Sequence, residues 1–105
     1  MVILMEMTKT LDISLESGTI VIKFAAVWCA PCKRMESILQ KLKSEFDMIK
    51  FFTIDVDEYP EWVSKYDVKC VPTLLVLKNG QEVNRVTGVS LIEPLRKMLR
   101  DSIDI

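Results

Sequence analysis

Cys29 and Cys32, three residues apart in Trp28-Cys29-Ala30-Pro31-Cys32, are the side chains whose type and spacing can do chemistry. A thiolate is a nucleophile, and a second thiol beside it can close a small disulfide and open it again. The flanking sequence places the pair. Ile20-Val21-Ile22 and Phe24-Ala25-Ala26-Val27 form an apolar run that reads as a buried strand. Met35, Ile38, Leu39, Leu42 and Phe46 follow at the spacing of one helix face. The pair therefore sits at a strand-to-helix junction. Pro31 suits the first helical turn, where its missing N–H costs nothing. Cys29 then lies at the helix N-terminus, where free N–H groups and the positive end of the helix dipole favour thiolate over thiol.

Two other readings compete with redox chemistry. Half of a zinc site needs about four nitrogen or sulfur ligands, and the chain has no His and one further cysteine, Cys70. A structural staple closing a two-residue loop constrains little of the unfolded chain. Redox chemistry is the reading the pattern favours.

The elements that must hold the pair come next. Residues 2–7 read as a first, edge strand, and 8–17 as a weak helix ended by Gly18. The best-defined elements are the strand near 19–26 and the helix near 31–46. Ile49 to Val56 reads as a second buried strand, and Asp57 as the cap of a short helix starting near Pro60 and carrying Trp62, Val63 and Tyr66. Leu74-Leu75-Val76-Leu77 is a further strand, turned by Asn79-Gly80 into an antiparallel partner over 81–87. A last helix runs from about Leu91 to about Ser102, with Leu91, Leu95, Met98 and Leu99 on one face and Pro94 in its first turn. This order gives an α/β fold: a central mixed sheet of four to five strands flanked by helices on both faces. The cysteines fall at the carboxyl end of a central strand, where open α/β sheets place their sites.

The 105 residues read as a single domain, 1–105, half hydrophobic and 28% charged. A net charge of −1 offers no basic excess for phosphates, so nucleic acid is not an expected partner. No apolar run approaches a membrane span, and residues 1–5 are too short for a signal sequence. Three cysteines are too few for a disulfide scaffold. The expectation is a soluble, cytoplasmic protein without a metal or cofactor.

From residue 19 onward the chain resembles the thioredoxin family. Trp28-Cys29-Ala30-Pro31-Cys32-Lys33 is similar to its active-site motif, Val71-Pro72-Thr73 to its cis-proline loop, Lys78-Asn79-Gly80 to its hairpin and Gly88 to its substrate-side glycine. The resemblance implies the thioredoxin fold and reduction of protein disulfides, with electrons resupplied by a thioredoxin reductase. It makes Cys29 the exposed nucleophile and Cys32 the less exposed resolving thiol of a redox-active disulfide. Trp28, Ala30, Pro31, Val71, Pro72 and Gly88 become the apolar rim that receives a substrate chain. An oxidase or isomerase of the same fold, and a purely binding module, are the competing functions. Ala30-Pro31 between the cysteines, where oxidising relatives commonly carry His, favours the reductant.

Three departures from the family pattern stand out. Ala25 replaces an aromatic residue, predicting a roomier site. Ser37 replaces a helix-kinking proline, predicting a straighter helix. Lys23 stands where the family has a buried acid that manages the resolving thiol's proton. As a pKa-tuning residue, Lys23 would stabilise a Cys32 thiolate when charged or accept its proton when neutral. Alternatively its ammonium reaches water or pairs with Asp55. Cys70, two residues before Pro72, is either a partly buried loop residue or a third redox thiol that links a monomer into a disulfide dimer on oxidation. The acidic run Asp55, Asp57, Glu58, Glu61 lacks the glycine and terminal Glu of a calcium loop and reads as a solvated face.

Overall fold

The computed structural model describes residues 17–104. The strand expected at 2–7 and the weak helix expected over 8–17 lie outside the described residues, apart from Ser17. Four strands form one mixed sheet in the order β2-β1-β3-β4. β1 (Thr19–Ala25) pairs in parallel with β2 (Lys50–Asp55) and antiparallel with β3 (Thr73–Lys78), which pairs antiparallel with β4 (Gln81–Thr87). α1 (Ala30–Glu45) follows β1, α2 (Pro60–Lys65) follows β2, and α3 (Ile92–Ile103) follows β4.

β1 is central because every one of its residues is buried. Strand side chains alternate between faces, so its apolar run must be covered twice. Ile20, Ile22 and Phe24 pack with Ile54, Leu75 and Leu77 under Trp62 of α2. Val21 packs on the other face with Leu74, Val76, Met35 and Leu42 of α1, and Leu95 and Leu99 of α3. Each such side chain contributes about 1.5–3 kcal/mol on burial. Helices thus cover both faces, as the pattern predicts. By the same alternation Lys23 falls on the Val21 face, opposite Leu74 on β3.

The hairpin behaves as its sequence dictates. Asn79 and Gly80 have φ of 51° and 86°, the left-handed pair that a tight turn between twisted strands needs. α1 runs unbroken from Ala30 to Glu45 past Ser37. Pro94 lies in the first turn of α3, and Arg96 ties that helix to α1 through a bidentate bond to Glu45 at 2.7 and 2.8 Å.

Three expectations are corrected. β2 is half-exposed, not buried, because it forms an edge of the described sheet. Asp57 does not cap α2; Tyr59 occupies that position without a side-chain hydrogen bond, since Asp57 is engaged elsewhere. Leu91 is 77% exposed, because it precedes α3 instead of joining the buried face.

Candidate active site

Cys29 is the N-cap of α1, with extended backbone, and Pro31 sits in the first turn. Cys29 and Cys32 are joined by a disulfide. The Cys32 N–H donates to Cys29 Sγ at 3.1 Å. That donor is one of the N–H groups a helix start leaves free, a position that favours negative charge on the atom it meets. Both cysteines pack with Ala25 and Ala26, against Val56 and Val71. The expected difference in exposure is absent: Cys29 is 3% and Cys32 2% exposed. In the disulfide the Cys29 sulfur is tied to Cys32 within this apolar cluster.

The residues expected to form the rim come from three chain segments, and Val71 packs against the cysteine cluster. Trp28 and Ala30 are exposed, while Pro31, Val71 and Gly88 are half-buried. Pro72 is buried, so its ring is not part of the exposed surface. The Val71-Pro72 bond is cis. The Gly88 N–H donates to the Pro72 carbonyl at 2.8 Å, joining the two loops. Gly88 has φ +83°, and a Cβ there would meet nothing within 4 Å, so backbone conformation and not space selects glycine.

Several residues that sequence reasoning missed belong here. Trp28 Nε1 donates to Asp57 Oδ2 at 2.9 Å, and Asp57 N–H donates to Asp55 Oδ1 at 2.8 Å. The acidic run is therefore partly an anchor for the exposed indole. Val27, Val89 and Leu91 are exposed apolar residues in the segments next to Trp28 and Gly88. Apolar type alone gave them no signal, since strand and helix patterns assign such residues to a core.

Lys23 is buried, and its Nζ donates to the Cys32 carbonyl at 2.9 Å, not to Asp55. Burial pushes its pKa below the ordinary lysine value, and the Glu36 carboxylate partly restores it. Lys23, Ala25, Cys32, Glu36, Asp55 and Glu58 are among the residues lining a cavity of about 520 Å³ behind the disulfide. Ala25, where an aromatic residue would fill more space, is one of the residues lining this cavity. Cys70 is a free thiol and exposed, which corrects the partly buried alternative. It lines a mostly apolar groove of about 420 Å³ together with Trp28, Val56, Val68 and Val71.

The geometry thus offers a dithiol/disulfide couple at a helix start, bordered by apolar surface. The Thioredoxin family model matches residues 3–101. The chain belongs to the thioredoxin family. Thioredoxin from Staphylococcus epidermidis is 38% identical over 89 residues, covering 84% of this chain and 86% of that one. Thioredoxin H5 from rice, Oryza sativa, is 39% identical over 81 residues, 76% of this chain; the match spans only 60% of the rice protein. Mitochondrial thioredoxin 3 from Saccharomyces cerevisiae, in its oxidised form, superposes with a TM-score of 0.81 at 32% identity, over 90% of this chain and 89% of that one. Family membership and the bonded Cys29–Cys32 pair make this chain a thiol–disulfide oxidoreductase.

Proposed function

We propose that this chain is a cytoplasmic protein-disulfide reductase, a single thioredoxin domain in which Cys29 attacks and Cys32 resolves. The observation that carries the assignment is the Cys32 N–H aimed at Cys29 Sγ at the start of α1, which favours charge on Cys29 over Cys32. Cys29 thiolate attacks a substrate disulfide and forms a mixed disulfide; one substrate sulfur leaves as thiolate. Cys32 then attacks Cys29 Sγ, releases the second substrate thiolate and leaves the Cys29–Cys32 disulfide. A thioredoxin reductase returns two electrons to that disulfide, and the chain serves the cell as an electron carrier to protein disulfides. The substrate segment lies across Trp28, Ala30, Pro31, Val71 and Gly88, pairing its backbone beside Val71. Support for the cytoplasm comes from the exposed free thiol of Cys70 in a chain with too few cysteines for a disulfide scaffold, which suits a reducing compartment. Among the described residues no helix is long and apolar enough to cross a membrane.

A redox titration against glutathione separates reductant from oxidant. The expected midpoint is more negative than about −200 mV; a value at or above about −180 mV, in the range of disulfide isomerases and oxidases, overturns the direction proposed.

The reduced protein is proposed to be a monomer, with Cys70 as an additional redox thiol. Its exposure beside Trp28 and Val71 supports this. Mild oxidation should give a disulfide-linked dimer on non-reducing electrophoresis, and Cys70→Ser should prevent it. A dimer that persists in Cys70→Ser rules Cys70 out.

A further inference from the structure

Lys23 reverses the charge expected beneath the resolving thiol. An acid there opposes a neighbouring thiolate and can take its proton. An ammonium favours the thiolate and has no site for a proton, so the proton needs another route. The structure supplies both halves of that arrangement. Lys23 lies at the middle of the central strand, its Nζ held 2.9 Å from the Cys32 carbonyl oxygen. Cys32 and Lys23 line one cavity of about 520 Å³, which also carries carboxylates. The charged groups facing Lys23 there are Lys33 and Glu36 from α1, Asp55 from the end of β2 and Glu58 from the turn after it.

Resting on the reading of Cys32 as resolving thiol, we propose that Lys23 is a positioning residue whose ammonium favours the Cys32 thiolate, while the cavity behind the disulfide passes the thiol's proton to solvent along Glu36 and Asp55. In the resolving step Cys32 thiol first loses its proton into that cavity. Its sulfur lone pair then forms the bond to Cys29 Sγ. The bond from Cys29 to the substrate sulfur breaks, and its electron pair leaves on the substrate thiolate, which takes a proton from water. The substrate is reduced by two electrons and the cysteine pair is oxidised by two. Where Cys32 ionises in the reduced protein, stabilising its thiolate also stabilises that form, so above the Cys32 pKa Lys23 makes this couple more oxidising than a neutral residue would.

Two variants separate charge from hydrogen bonding. Lys23→Met removes both; Lys23→Gln keeps an N–H donor for the Cys32 carbonyl and removes only the charge. Each is equilibrated with glutathione beside the wild type at a series of pH values, and Cys32 is titrated by thiolate ultraviolet absorbance in a background carrying both Cys29→Ser and Cys70→Ser, which leaves Cys32 as the one thiol. At a pH above the Cys32 pKa of wild type and variant, both variants should move the equilibrium about tenfold toward the disulfide, which is about 30 mV for a two-electron couple. Both should also raise the Cys32 pKa by about one unit. Wild-type values in Lys23→Gln would show a hydrogen-bonding role and overturn the proposal. So would unchanged values in both variants, or shifts of the opposite sign. Failure of the underlying reading looks different: reduced Cys32→Ser protein would trap no mixed disulfide through Cys29.

Discussion

Cys29→Ser should abolish disulfide reduction, lowering the rate by at least about 10³-fold. A hydroxyl in place of the thiol offers no thiolate near neutral pH, and the chain has no histidine to activate an alcohol. Neighbouring features survive the change. Trp28 stays anchored to Asp57, and the Gly88 N–H still holds the Pro72 carbonyl, so a substrate segment still meets the same rim. The loss is therefore chemical and not one of binding. The measurement is turnover of a protein disulfide in the presence of dithiothreitol, with far-ultraviolet circular dichroism to establish that the variant is folded. Retention of more than about a tenth of the wild-type rate would mean another thiol, with Cys70 the remaining one outside the pair, carries the reaction.

Phe24→Ala should cost about 3–5 kcal/mol of stability, the range for truncating a fully buried aromatic side chain. Phe24 is fully buried in the central strand, within the cluster built by Ile20, Ile22, Ile54, Leu75 and Leu77, and its ring centroid lies 6.2 Å from that of Tyr66. The truncation removes contacts to both flanking strands and to the α2 side at once, and the rigid sheet relaxes only partly into the space. For a domain of this size the midpoint of thermal unfolding should fall by more than about 12 °C. Met48→Ala is the control: that side chain is 62% exposed, and its loss should stay within about 0.5 kcal/mol. A drop below about 1 kcal/mol for Phe24→Ala would mean that the strand presenting Cys29 is not held by this cluster.

Much of this was legible because local signals and tertiary demands agree. The apolar run of β1 requires cover on both faces, and that fixes it at the sheet centre with the cysteines at its carboxyl end. Asn79-Gly80 admits one turn geometry, and the helical spacing of Met35, Ile38, Leu39 and Leu42 admits one face. What escaped notice depended on partners distant in sequence. Asp57 reads locally as a helix cap, yet a tryptophan 29 positions earlier takes its carboxylate. Leu91 continues the apolar spacing of α3 but precedes the helix, and it stays exposed. Burial of Cys29 in the oxidised state and of Pro72 follows from packing between loops, for which no periodicity exists. Lys23 was conspicuous in sequence, but its hydrogen-bond partner was not, because a backbone carbonyl leaves no mark on residue type.

The most direct test of the central assignment is to trap the exchange half-way. Cys32→Ser protein, reduced and mixed with a protein carrying an accessible disulfide, should accumulate a covalent adduct, and peptide mapping should place the intermolecular bond at Cys29. No adduct, or an adduct mapped to Cys70, would contradict the account.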